Sequence, residues 1–477
     1  MNKCNIPSMC AGLLACISQQ SLAVPTTTPN IVVIFLDDMG YGDLAATGAT
    51  GYQTPHIDRL CNEGMRFTNF YSAQAVSSAS RAGLLTGCYP NRIGFAGALD
   101  HSANVGIAQS EETIAEVLKK KNYACAAVGK WHLGHHPQFL PVNHGFDEYF
   151  GLPYSNDMWP FHPQNGSYYP DLPLIEGDRV CNPKVTPEDQ AQLTTLYTER
   201  AVSFIEKNKN HPFFLYLAHT MPHVPLYVSD KFKGKSEQGL YGDVMMELDW
   251  SVGEILKILE KLGLDNNTLL VFASDNGPWL NYGNHAGSTG GLREGKGSVF
   301  EGGQRVPCIM RWPEKIPAGT ICNQLASTID LLPTFAHICE APLPTLHIDG
   351  LNIISLMTNA EAVFSPRKYF LYYYRQNDLN AVRNDRFKLV FPHAGRTYEG
   401  FLPGNDGLPG QVNERHAFGT ALYDMRRDPG ERYDVKELYP EVVDELTKIA
   451  EEARKDLGDD LTDDKGTGRR SIGRLIE

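Results

Sequence analysis

Four short apolar runs, each closing on a polar cluster, constrain this chain more than any other feature of its sequence. Ile31–Leu36 stops at Asp37-Asp38, and Tyr123–Val128 at Gly129-Lys130-Trp131-His132. Phe213–Ala218 stops at His219-Thr220-Met221-Pro222-His223, and Thr268–Ala273 at Ser274-Asp275-Asn276-Gly277. Continuous apolar runs bounded in this way read as strands buried on both faces. Helix-like periods at Glu112–Lys120, Thr195–Lys207 and Tyr241–Leu262 lie between them. The alternation predicts an α/β fold, a mostly parallel sheet flanked by helices. Ligands bind beyond the carboxyl ends of strands in such sheets, so the four polar clusters are expected on one rim.

The pattern changes near Leu351–Pro366. Tyr369–Tyr374, Leu379–Arg383 and Phe387–Phe391 carry the alternation and turn signals of antiparallel strands, and a helix is expected over Pro440–Leu457. A smaller C-terminal α+β subdomain is therefore expected over 360–477, behind a main domain over 24–359. The tail from Asp459 to Glu477 is expected to wrap the surface or to be mobile.

The first 23 residues read as an export signal: Lys3, a short apolar run over Ile6–Ile17, and a small-residue cleavage site at Ser21-Leu22-Ala23. Leu13-Leu14-Ala15-Cys16 offers the alternative of a lipoprotein box with Cys16 lipidated. The chain is thus expected to be exported, periplasmic or secreted. No later segment has ~20 uninterrupted apolar residues, so no transmembrane helix is expected. A formal net charge of −13 argues against a nucleic-acid partner. Seven of the ten cysteines lie beyond the signal, scattered and without a CxxC pair. Most are read as small buried apolar residues, with a Cys308–Cys322 or Cys322–Cys339 bridge left open.

Chemistry enters with Ser77-Ser78-Ala79-Ser80-Arg81-Ala82-Gly83-Leu84-Leu85-Thr86-Gly87. This reads as a reactive side chain at a helix start, where free N–H groups and the dipole favour an anion. The bland alternative is a serine-rich helix cap. Asp37, Asp38, Asp275 and Asn276 are hard oxygen ligands at strand ends, a set that suits Ca²⁺ or Mg²⁺ far better than Zn²⁺. Either pair alone would pass for a cap or a turn. Lys130, His132, His223 and the glycine-flanked Lys296 supply cations and donors. Taken together, these residues describe a pocket for a tetrahedral oxyanion.

The Ser77 stretch resembles the signature of the sulfatase family, and further blocks match it in order. They are Asn30 through Gly40, Thr54-Pro55-His56-Ile57-Asp58, Gly129 through Gly134, Pro222-His223, Ser274 through Gly277, and Gly295 through Gly303. The chain is most similar to the branch of arylsulfatase A and N-acetylgalactosamine-6-sulfatase. That resemblance implies an alkaline-phosphatase-like fold, one bound Ca²⁺, and a formylglycine made from Ser77 by a maturation enzyme. It implies that Asp37, Asp38, Asp275, Asn276 and residue 77 ligate the calcium, and that Arg81 and Lys130 orient the formylglycine hydrate. By the same resemblance His223 and Lys296 contact sulfate oxygens and help protonate the leaving oxygen, and His132 helps deprotonate the hydrate. Ser77 stands where many members have cysteine, and Ala79 where proline is commoner.

The expected partner is a sulfated carbohydrate, by resemblance a galactose or N-acetylgalactosamine sulfate of glycosaminoglycan, mucin or algal glycan. Asn156, Asp157, Trp159, His219, Arg375 and Arg383 are the candidate sugar contacts. Two other functions stay open. One is a phosphoester or phosphonate hydrolase of the same superfamily; the other is a non-catalytic sulfated-glycan binder with Ser77 unmodified.

Overall fold

The computed structural model describes Met1 and residues 28–358 and 364–475. The export segment through Ala23, the Cys16 alternative and the junction expected at 359/360 lie outside the described residues.

The main sheet has ten strands. In chain order they are β1 (Asn30–Leu36), β2 (Met65–Phe67), β3 (Ala124–Gly129), β4 (Glu148–Gly151), β5 (Leu174–Glu176), β6 (Arg179–Asn182), β7 (Phe213–Ala218), β8 (Thr268–Ser274), β9 (Cys308–Arg311) and β10 (Thr320–Cys322). Their spatial order is β10-β2-β9-β8-β1-β7-β3-β4-β5-β6. The central block β8-β1-β7-β3-β4 is parallel, and antiparallel pairs join it to both edges. All four expected apolar runs are in this block, and their carboxyl ends share one edge of it.

Strand β1 explains the layering. Every residue from Asn30 to Leu36 is buried, so its alternate side chains must pack on opposite faces. Ile31, Val33 and Phe35 meet apolar residues of the helices Ser77–Thr86, Ile114–Lys119 and Leu331–Ile338. Val32, Ile34 and Leu36 meet those of Pro55–Glu63, Pro187–Lys207 and Gly239–Lys261. Two helical layers thus enclose a continuous apolar sheet.

Beyond residue 364 the chain forms β11 (Phe370–Tyr374), β12 (Asp378–Arg383), β13 (Phe387–Val390), a hairpin of β14 (His393–Thr397) and β15 (Asn413–Phe418), and β16 (Ala421–Asp424). Strands β11-β12-β13-β16 make an antiparallel sheet. The helix Pro440–Leu457 packs Leu446, Ala450, Ala453 and Leu457 onto its core. A buried ionic group ties this part to the main domain. Lys388 Nζ lies 3.2 Å from Glu301 and 2.7 Å from Glu431, and Tyr71 and Tyr372 donate to Glu301 at 2.6 and 3.0 Å. The tail wraps the surface: Gly473–Arg474 pairs with Val105–Gly106, and Arg470 bonds Glu111 at 2.6 Å.

The seven cysteines beyond the signal are free thiols, six of them buried. Neither suggested bridge forms. Cys308 and Cys322 pair with Phe67 from opposite sides, which places them two strand spacings, about 9.5 Å, apart and beyond disulfide reach. Cys339 instead accepts a hydrogen bond from the Tyr123 hydroxyl at 2.9 Å. Among the described residues no helix is long and apolar enough to cross a membrane.

Candidate active site

Turns at the strand ends aim the polar clusters inward. Asp38 and His132 adopt φ of 64° and 62°, sparsely populated values for residues with a Cβ. Such strain persists where the surroundings over-determine it, commonly at functional sites. Asp38 is held by its own N–H, which donates to Asp275 Oδ1 at 3.1 Å, linking the turns after β1 and β8. Ser77 is the first residue of a ten-residue helix buried along its whole length, and Val76 before it makes no side-chain cap. That helix start is therefore open toward the rim.

Ser77 Oγ donates to Asp37 Oδ1 at 3.1 Å and accepts from Lys130 Nζ at 3.3 Å. Lys130 also donates to Asp37 Oδ2 at 2.6 Å and to Ser155 Oγ at 3.2 Å. One helical turn beyond Ser77, Arg81 Nη2 reaches Asp275 at 2.8 Å and Asp37 at 3.5 Å. Lys296 Nζ lies 2.8 Å from the Asp38 carboxylate, and His223 Nε2 lies 3.5 Å from it. Asn276 Nδ2 donates to Asp38 Oδ1 at 2.6 Å. Residues from six separate stretches of sequence, with Ser155 from a seventh, thus converge on one site.

The electrostatics follow from close packing of opposite charges. Burial pushes the Asp37 carboxyl up, but Lys130, His223 and Arg81 outweigh it and hold it well below the usual range. Asp275 is pushed up to about 7 by burial and by the charge of Asp37. Burial lowers Lys130, only partly offset by Asp37, whereas Asp38 and Asp37 overcome the burial of Lys296 and raise it. Burial and the neighbouring Lys130 drive His132 well below its ordinary value, so its ring is neutral. The residues also fit a hard divalent cation. Asp37, Asp38, Asp275 and Asn276 are buried, and Asn276 Oδ1 has no hydrogen-bond partner among the described residues. Ligating atoms of Asp37, Asp38 and His223 come within 4.8 Å of one another. An all-oxygen set of three carboxylates and an amide matches Ca²⁺.

Ser77, His132, His223 and Lys296 open into a cavity of about 590 Å³. Of the six candidate sugar contacts, Asp157 and Arg375 line it. The other four do not, and each has a structural occupation. Asn156 is buried, and its Nδ2 donates to Gln190 Oε1 and Pro225 O. Trp159 is buried between Phe161 and Tyr227. His219 is fully buried, with Nε2 3.0 Å from Ser251 Oγ. Arg383 is buried and donates to Tyr71 beside Glu301. The cavity also takes in Trp279 and Tyr282, which follow Asp275 closely enough to have been found by extending that loop. Tyr374, Arg396 and Glu414 come from the C-terminal strands, and no spacing pattern in the sequence points to them.

Fold and pocket together define a hydrolase of the alkaline-phosphatase-like class, with an oxyanion cradle at the strand ends. A family model described as Sulfatase matches residues 29–340, and one for the C-terminal region of aryl-sulfatase matches 365–466. The N-acetylgalactosamine-6-sulfatase of Mus musculus is 38% identical over 90% of this chain and 86% of its own length. Arylsulfatase A of Homo sapiens is 36% identical over 92% of this chain and 89% of its own. A solved Bacteroides thetaiotaomicron chain, described with the metabolism of multiple glycosaminoglycans, superposes with a TM-score of 0.75 at 30% identity, covering 90% of this chain and 99% of that one. The chain belongs to the sulfatase family and is a sulfuric ester hydrolase.

Proposed function

We propose that this protein is an exported glycan sulfatase that removes sulfate from galactose or N-acetylgalactosamine residues. Its maturation would convert Ser77 to formylglycine, and its site would hold one Ca²⁺ on Asp37, Asp38, Asp275, Asn276 and residue 77. The observation that carries this reading is the placement of Ser77. Its hydroxyl sits at an uncapped helix start, 3.1 Å from Asp37 and 3.3 Å from Lys130, on a cavity wall. The domain limits that accompany the reading are a signal over 1–23, a catalytic domain over 24–359 and a C-terminal subdomain over 360–477.

The calcium would act as a Lewis acid on the bound ester, and the formylglycine would supply a geminal diol as nucleophile. The chain's own residues divide the remaining work. Arg81 and Lys130 fix residue 77 and balance negative charge beside it. His223 Nε2 and Lys296 Nζ meet the sulfate oxygens and serve the proton of the departing oxygen. The His132 ring faces the Leu99 carbonyl through Nε2 at 2.8 Å, so Nε2 carries the hydrogen. Nδ1 has no hydrogen-bond partner among the described residues, and it is the atom that would take a proton from residue 77.

Mass spectrometry of the tryptic peptide containing residue 77, from protein matured in its native host, tests the reading together with sulfate release from a panel of sulfated monosaccharides. An oxidised residue and released sulfate support it. An intact serine without sulfate release overturns it in favour of a glycan binder, and release of phosphate in place of sulfate favours a phosphoester hydrolase.

A further inference from the structure

The wall of the cavity contributed by the C-terminal strands carries charge that the ester-binding residues do not use. Arg375 stands in the turn between β11 and β12, and Arg396 on β14. Both reach Glu414 on β15. Arg396 Nε lies 3.0 and 3.1 Å from the two carboxylate oxygens, and Arg375 Nη2 lies 3.2 Å from one of them. Two guanidiniums therefore share one carboxylate, leaving a net positive charge on this wall in a chain whose formal charge is −13.

Three further observations indicate that the surplus charge faces a ligand. Arg375 and Gln376 have φ of 47° and 44°, left-handed values that a hairpin turn normally assigns to Asn or Gly. An arginine in that conformation carries a backbone cost, and strain of this kind clusters at ligand clamps. Its Nε is buried without a hydrogen-bond partner among the described residues, so a planar donor remains unsatisfied. The distance to the ester pocket is also short. Arg396 Nη1 donates to the carbonyl of Lys296 at 3.2 Å, and a Cβ on Gly297 would lie 2.8 Å from the same nitrogen.

Resting on the sulfatase reading above, we infer that Arg375 and Arg396, set against Glu414, form a subsite for a second anionic group of the substrate. The substrate is then a glycan bearing a carboxylate or another sulfate close to the scissile ester, in place of a neutral sugar with one sulfate. Arginine suits this task, because its planar fork of donors matches both carboxylate and sulfate oxygens. Trp279 stands in the same cavity, 4.5 Å from Lys296 Nζ to ring centroid, and offers a face for the sugar that joins the two anions.

Titration calorimetry on the full-length chain with Ser77 unmodified tests this without turnover. Three disaccharides, each with one sulfate on the galactose-type sugar, serve as probes: one with a neutral neighbour, one with a uronate neighbour, one with a second sulfate. Binding about tenfold tighter than the neutral probe is expected for at least one doubly anionic probe, the size of a partly screened charge-assisted contact. The preferred probe identifies the anion. Arg375→Ala is expected to cut the preference to under about twofold, and Glu414→Gln, which frees both guanidiniums, to increase it. Equal affinities in the unaltered protein, or a preference that survives Arg375→Ala, overturn the inference. Failure of the sulfatase reading would register separately, as no sulfate release from any probe by matured protein.

Discussion

The Tyr398 hydroxyl donates to the carbonyl oxygen of Lys296 at 2.5 Å, across the seam between the C-terminal hairpin and the loop that carries the cavity's lysine. Glu294, two residues earlier, is held from the same side, accepting from Thr397 Oγ1 at 2.5 Å and from the Tyr398 N–H at 2.8 Å. The loop is thus clamped from outside the main domain. Tyr398→Phe removes one hydrogen bond and is expected to lower stability by about 1 kcal/mol. Because displacement of Lys296 acts on the ester, kcat/KM for sulfate release should fall by about tenfold. A purely structural tyrosine would shift Tm and leave both kinetic constants in place.

Ser77→Ala deletes the residue on which the proposed chemistry depends. Sulfate release should fall by at least about a thousandfold, while Tm stays within a few degrees of the parent, since only one hydroxyl is lost. Near-parental turnover in this variant would place the nucleophile elsewhere.

Calcium should stabilise the folded chain measurably. Asp37, Asp38 and Asp275 are buried close together, and a cation bound only by the native state adds RT ln(1 + [L]/Kd), about 4 kcal/mol at a thousandfold excess over Kd. Thermal denaturation after chelation and again after adding calcium reads this directly. Asp38→Asn, which removes one ligand charge, should abolish most of the increment.

His219 gives the molecule an acid-sensitive point that does not line the cavity. Burial lowers its pKa to about 3, and its Nδ1 has no hydrogen-bond partner among the described residues. The unfolded chain takes up that proton near pH 6.5, so it binds more protons than the native state between pH 6.5 and 3. Stability is therefore complete above pH 6.5 and declines as the medium is acidified toward pH 3, by up to about 5 kcal/mol from this group. Urea titrations across that window should show a shallower acid limb for His219→Gln than for the parent.

Lys388 should prove intolerant of truncation. Its ammonium is fully buried between Glu301 and Glu431. Lys388→Met leaves the buried carboxylates of Glu301 and Glu431 without the cation between them, a loss of about 3–5 kcal/mol. Adding Glu431→Gln, which removes one of the two charges and leaves Glu301 to its arginine and tyrosine partners, should restore part of it, and denaturant midpoints for the single and double variants decide the point.

Most of the scaffold was legible because strands buried on both faces leave an unmistakable trace. Asn30–Leu36 has no polar interruption after Asn30, and the residue at which it stops is the residue that enters the site. The same held for Asp275 and Lys130. The sugar-facing wall was less legible, for a physical reason. Asn156, Trp159, His219 and Arg383 are chemically suited to sugars, yet suitability does not fix direction, and each turns into the core to satisfy a neighbour. Arg396 and Glu414 meet the cavity through a hairpin whose docking depends on packing between distant segments, and local pattern carries no record of that.

The thiol inventory has a practical corollary. With no disulfide among its described cysteines, the fold requires no oxidant to assemble, and a reducing host is a suitable factory for it. Cys181, the single exposed thiol of that set, lies on the outermost strand of the main sheet, a ready anchor for one fluorophore well away from the chemistry.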